Sequence, residues 1–227
     1  SLRHMLAEGV DHIYIADAQS TDGTRDVLDG LAKETGQLTI VTDTDPVFNQ
    51  VHWMNLLAHM AAADGAEWLI PSDVDEFWYA TNGGTVAEAL LATEYPVVYA
   101  RSFVHWDWDT RCANYKLLPK VAFKWNPNAE IVMGQHGVKG VGGGINDVLD
   151  IRELQYRSFE HFVHKVRAGL ARIAPDVRAR GDGDHYLRLE NRTDEEMRVE
   201  WERIKVVQGT VFGNNNFRLF YSSFSFL

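Results

Sequence analysis

The stretch EWLIPSDVDEFW, residues 67–78, decides how this chain is read. It opens on a short apolar run, Trp68, Leu69 and Ile70, whose length and flanks are those of a buried strand. At Ser72 the run gives way to Asp73, Val74, Asp75 and Glu76. In extended backbone, residues two apart face the same side, so Asp73 and Asp75 are expected to stand side by side while Val74 turns to the core. Neighbouring carboxylates repel unless a cation joins them, and hard divalent ions such as Mg2+ or Mn2+ favour oxygen donors.

Upstream, residues 12–16 form an apolar and aromatic run that ends at Asp17 and the polar turn Gln19 to Gly23. A helical pattern follows at 24–35, a second strand at 38–42, a loop at 43–46 and a long helix at 48–63. Strands alternating with helices imply a parallel sheet with crossover connections, whose ligands sit at the strand carboxyl ends. Asp17 and Asp73 both fall at such ends and are expected to line one crevice. The predicted fold is therefore α/β, a Rossmann-related mixed sheet, mainly parallel in its N-terminal half and flanked by helices.

Downstream, a short helix at 85–92 precedes strands at 97–106, 120–125 and 130–133, which predict mixed or antiparallel additions. Residues 134–147 carry five clustered glycines from Gly137 to Gly144 beside Gly134, and read as a loop, either a mobile flap or plain surface. The glycines do not make a phosphate-binding P-loop, because no Lys-Ser/Thr pair follows them. A helix is expected at 158–173, and another starts at Thr193 with Glu196 as its capping-box partner.

Bulk properties narrow the function. The chain has 227 residues, 45% of them hydrophobic, enough for a soluble globular core. Its formal charge of −10 argues against a nucleic-acid partner, which needs a basic face. Cys112 is the single cysteine, so no intramolecular disulfide forms and a reducing cytoplasm is favoured. No run approaches the ~20 apolar residues of a membrane span. The expected location is the cytoplasm, free or at the inner face of the membrane.

Two motifs in order, DHIYIADAQSTDGT at 11–24 and EWLIPSDVDEFW at 67–78, resemble the family 2 type glycosyltransferases of GT-A fold. The resemblance is closest to a bacterial subgroup with a DVDEF segment and a later YRS, here Tyr156, Arg157 and Ser158, and it spans residues 2–172. It implies a nucleotide-sugar donor, a saccharide or other hydroxyl acceptor, and a divalent metal, Mn2+ or Mg2+. On this resemblance Asp17 contacts the nucleotide base, with Asp22 in the adjoining turn. Asp73 and Asp75 hold ribose and metal, the second carboxylate most directly. His136 resembles a late histidine that contacts metal or phosphate, and its alternative is an ordinary exposed histidine. The family's first strand would lie before Ser1, so a GT-A-like domain is expected over 1–175, with upstream sequence missing. Residues 176–227 would be a helical extension and irregular tail.

An inverting transfer needs a carboxylate to take the acceptor's proton. Asp107 and Asp109 lie among His105, Trp106 and Trp108, whose rings suit a sugar face, and are the candidates. Glu76 is expected to support the triplet instead. Arg101, Lys120 and Arg157 would meet phosphate or form exposed ion pairs. Two other classes stay open on these residues: a metal-dependent hydrolase, and a non-catalytic nucleotide-sugar or carbohydrate-binding module.

Overall fold

The computed structural model describes residues 1–45, 49–105, 116, 118–173, 178 and 184–210. These divide into two compact units, one of Ser1–Asp45, Asn49–Ser102 and Leu118–Arg152, the other of the described residues within 103–117 and 153–210.

In the first unit, α1 (Leu2–Ala7) leads into β1 (Ile13–Asp17), α2 (Thr24–Thr35) and β2 (Leu38–Thr42). β1 and β2 pair in parallel from Ile13↔Leu38 to Asp17↔Thr42, with α2 as the crossover. α2 stops at Gly36, whose φ of 69° lets its N–H reach back to the Ala32 carbonyl. α3 (Gln50–Ala63) begins where the Asn49 side chain accepts from the His52 amide.

The chain then departs from the parallel pattern. β3 is only Trp68–Leu69 and pairs antiparallel with β6 (Lys120–Lys124), Trp68 facing Lys124 and Leu69 facing Phe123. Pro71 has no N–H to extend such a ladder, which explains the early stop. β4 (Glu76–Ala80), α4 (Val86–Ala92) and β5 (Val97–Val104) follow, and β5 runs antiparallel to β6. With β10 (Leu149–Glu153) the sheet order is β3-β6-β5-β10-β4, so the α/β architecture is a mixed sheet flanked by helices.

Period-two alternation gives this sheet two apolar faces. Val98, Ala100, Ala122, Leu149 and Ile151 pack with Trp78 and with Met5, Val86, Ala89 and Leu90 from α1 and α4. Val97, Val121, Phe123 and Leu69 pack with Ala58 and Ala61 of α3.

The glycine-rich segment, expected to lack regular structure, holds some. β7 (Glu130–Ile131) pairs with β8 (Val138–Lys139) around a 3-10 turn at Met133–Gln135, and β9 (Gly144–Ile145) lies parallel to β5. Gly140 shows why glycine serves there: at φ 76°, a Cβ would come within 2.0 Å of the Asn128 carbonyl oxygen. The glycines admit tight reversals between short paired pieces rather than a structureless flap.

In the second unit, α5 (Phe159–Arg172) is capped by Ser158, which accepts from the His161 amide at 3.1 Å. α6 (Asp184–Leu187) and α7 (Asp194–Thr210) follow, and Thr193 and Glu196 exchange the two bonds of a capping box. Phe162, Val163 and Val166 of α5 bury against Leu189, Met197 and Trp201, so α5 packs with the helices after it.

Candidate functional site

The acidic triplet is not extended. The Glu76 amide donates to the Asp73 carbonyl at 3.1 Å, closing a four-residue turn with Val74 and Asp75 at its centre. Val74 is consequently 69% exposed, not directed to the core, and the side-by-side carboxylates expected from strand geometry give way to turn positions. Glu76 makes this turn. Its side chain is 1% exposed, and one oxygen accepts from the Asp73 amide and the Ser72 hydroxyl, both at 3.2 Å, and from the Trp78 indole at 3.3 Å.

The other Glu76 oxygen meets Lys120 Nζ at 2.8 Å. Lys120 opens β6 and is almost wholly buried; its ammonium also donates to Asp73 Oδ2 at 2.7 Å and to Gln135 Oε1 at 2.6 Å. Those three acceptors take all three ammonium protons. Burial works to lower the lysine pKa, but the carboxylates of Glu76 and Asp73 outweigh it and hold the group above the ordinary lysine range. Lys120 is thus an internal cation engaged by protein oxygens.

Asp73 Oδ1 is held from two further sides, by Gln50 Nε2 at 3.1 Å and Gln135 Nε2 at 3.4 Å. Gln50 stands in the first turn of α3 and also accepts from the Gly134 amide. Asn55, further along α3, makes paired bonds to the Ile131 backbone and so ties β7 to the helix. Gln135 has φ 54° with no exposed surface, a left-handed conformation that a non-glycine residue holds only where its surroundings enforce it. Asp75, at the third turn position, is half-buried.

His136 follows Gln135. Its Nδ1 lies 2.8 Å from the Pro119 carbonyl, an oxygen that can only accept, so Nδ1 carries the proton. A backbone carbonyl is a usual partner for the distal nitrogen of a metal-bound histidine, and in the neutral ring Nε2 would be the nitrogen left to ligate.

Asp17 ends β1 at 5% exposure; it accepts from the Ser20 amide and faces Arg25 at 3.8 Å. It shares no hydrogen bond or ion pair with Asp73. Asp22 accepts from the Thr24 amide, which forms the turn into α2. Arg101 is held by Asp150, at 2.7 and 2.9 Å, and by Asp147. Asp107 and Asp109, with Trp106 and Trp108, lie outside the described residues. Among the described residues no three His, Cys, Asp or Glu side chains gather closely enough to cage a metal. Asp73, Asp75 and His136 therefore do not form a closed three-ligand set.

Residues 1–105 match the family model of glycosyltransferase family 92. The match covers β1 to β5 and the whole acidic turn, and it ends before Lys120, Gln135 and His136. It supports a glycosyltransferase, and with it a nucleotide-sugar donor and an acceptor; it lends nothing to the narrower family 2 reading or to a bacterial origin. No curated protein gives a match. Among the described residues no helix is long and apolar enough to cross a membrane.

Gln50 and Gln135 are members of the site that sequence reasoning did not assign to it, and Lys120 was read only as a phosphate contact or an exposed ion pair. A signal was present for Lys120, since KVAFK places a lysine directly before the apolar run Val121, Ala122 and Phe123, and a buried lysine requires carboxylate partners.

Proposed function

We propose that this chain transfers a sugar from a nucleoside-diphosphate donor to an acceptor hydroxyl, with a divalent cation at the Asp73–Asp75 turn. The observation that carries the reading is the turn itself, in the segment that matches the glycosyltransferase family. Its donor set fits a hard ion. Asp73 and Asp75 offer carboxylate oxygens, the donors such an ion prefers, and Lys120 is shared between Asp73 and Glu76.

Asp75 and Asp73 would hold the ion, with His136 as a candidate nitrogen, and donor oxygens and water would complete the shell. When bound, the ion neutralises charge on the departing diphosphate. The protein's own groups do the rest. Glu76 sets the turn, and Lys120 with both glutamines fixes the Asp73 carboxylate. The acceptor oxygen bonds to the anomeric carbon as the bond to diphosphate breaks, and the acceptor proton passes to a carboxylate, for which Asp107 and Asp109 are the candidates. Asp17 is assigned to the nucleotide base, and the turn through Asp22 shapes that end of the pocket.

The test is a panel of sugar nucleotides with Mn2+ or Mg2+, following both free nucleotide and glycosylated product. Asp75→Ala and chelation should each lower turnover roughly a hundredfold. Full turnover after both treatments would reject the cation site. Sugar released only to water would point to a hydrolase, and stabilisation by nucleotide and Mn2+ without turnover to a binding module.

A further inference from the structure

Between β4 and α4 the chain reverses through Thr81, Asn82, Gly83 and Gly84, all of them exposed. Asn82 is the one asparagine of this chain that precedes a glycine. Attack by the following residue's nitrogen on an asparagine amide carbon closes a five-membered ring, and glycine, with no Cβ, leaves that nitrogen unshielded. The structure adds three particulars. The Gly84 amide donates to Asn82 Oδ1 at 3.0 Å, which draws electron density from Cγ and would stabilise charge growing on that oxygen. The attacking nitrogen, that of Gly83, reaches the Ala80 carbonyl only at 3.4 Å, too long to hold its proton firmly. Gly83 also stands in open space, where a Cβ would meet nothing within 4 Å, so water and hydroxide reach the turn. Other asparagines lack this combination: Asn126 precedes Pro127, which has no N–H to lose, and Asn55 is locked by paired bonds to the Ile131 backbone.

We infer that Asn82 is a self-modifying site, at which the turn converts asparagine to aspartate and isoaspartate without an enzyme. The Gly83 nitrogen loses its proton and bonds to Asn82 Cγ, the Cγ–Nδ2 bond breaks, and the amide leaves as ammonia with that proton. The resulting cyclic imide takes up one water. Opening at Cγ gives aspartate, and opening at the Asn82 main-chain carbonyl gives isoaspartate, so ammonia is exchanged for water with no change of oxidation state. The two products differ in consequence. Aspartate keeps the oxygen that holds the Gly84 amide, whereas isoaspartate carries the chain through Cγ and moves that acceptor out of the turn. The turn leads directly into the Thr85–Glu88 capping box of α4, whose Val86, Ala89 and Leu90 are core residues, so isoaspartate should loosen this helix.

The test is to incubate the whole folded chain at neutral and at mildly alkaline pH, and to map its peptides by mass spectrometry with fragmentation that separates isoaspartate from aspartate. Asn82 should convert before any other asparagine, faster at the higher pH, with isoaspartate in excess. Gly83→Ala should slow the conversion severalfold, since a Cβ then shields the attacking nitrogen. If Gly83→Ala does not fold, the order of conversion and the isoaspartate excess in the wild-type chain decide alone. The aged chain should also melt below Asn82→Asp, which keeps the Oδ1 acceptor. An Asn82 that stays intact while other asparagines convert, or that yields aspartate alone, overturns the inference. So does a folded Gly83→Ala chain that converts at the wild-type rate, or an aged chain that melts with Asn82→Asp.

Discussion

Gly134 offers a sharp perturbation of the site because its missing side chain is where the His136 ring sits. A Cβ built there would lie 2.6 Å from both Cδ2 and Nε2 of that ring, and the residue holds φ at 72°. Gly134→Ala therefore has two costs. The left-handed backbone costs an L-residue about 1–2 kcal/mol. The ring must also withdraw by the better part of an ångström, which stretches the Nδ1 bond to Pro119 now at 2.8 Å and forfeits about 1 kcal/mol. At about 2–4 °C per kcal/mol for a chain of this size, the melting temperature should fall by roughly 4–12 °C. The same displacement moves Nε2, so Mn2+ affinity should drop by about the same factor as in His136→Ala. Gly140→Ala is the contrast, since its clash is with the Asn128 carbonyl, and it should lower stability while leaving Mn2+ affinity unchanged. Calorimetry and Mn2+ titration on the three variants settle it. A Gly134→Ala chain that melts with wild type would refute the steric reasoning, and one that melts lower but keeps full affinity would remove His136 from the ion's shell.

Tyr14 donates to Asp64 at 2.5 Å, and that bond, reinforced by burial and by the carboxylate charge, pushes its pKa up to about 12. Because the folded value lies above the unfolded one, the contribution to stability is present below pH about 10 and is lost as pH rises towards 12. Difference absorbance titration of wild type against Tyr14→Phe should show the late phenol, and Asp64→Asn should return it towards the ordinary range. In α4, Thr85 and Glu88 exchange both bonds of a capping box, so Thr85→Ala should cost about 1 kcal/mol in urea unfolding. Phe162 is fully buried between the rings of Tyr156 and Trp201, and Phe162→Ala should cost about 3–5 kcal/mol, read as lost helical signal on mild heating.

Several elements were legible because their signals are local. Asp17 at a strand end, the strand-helix alternation of the first half and the capping box at Thr193 each depend on neighbours within a few residues. The acidic turn was legible in composition but not in shape. Strand geometry assigns Asp73 and Asp75 to one face, and that rule holds only while the backbone stays extended. Here Glu76 gathers bonds from Ser72, Asp73 and Trp78 and draws the chain into a turn. The partners that fix Asp73, Lys120 and Gln135, stand 47 and 62 residues away in sequence, and no periodicity connects them. Pairing of β3 with β6 was hidden for the same reason: two strand residues before a proline do not reveal which edge they join.

The charge arrangement bears on how an acidic chain could accept an anionic donor at all. Among the described residues, three cations of the first unit are already engaged within the protein. Lys120 is shared between Asp73 and Glu76, Arg101 is gripped by Asp147 and Asp150, and Arg25 is drawn to Asp29 and Asp17. Redirecting Lys120 to a phosphate would take a counter-charge from the buried Glu76, at a cost of several kcal/mol. A diphosphate approaching this turn would thus meet the carboxylates of Asp73 and Glu76 with Lys120 already shared between them, and a cation arriving with it would favour its binding. That ordering predicts synergy: nucleoside diphosphate and Mn2+ should each bind weakly alone and at least tenfold tighter together, by linkage of the two sites. Equal nucleotide affinity with and without Mn2+ would mean that the diphosphate is held by side chains beyond this cluster.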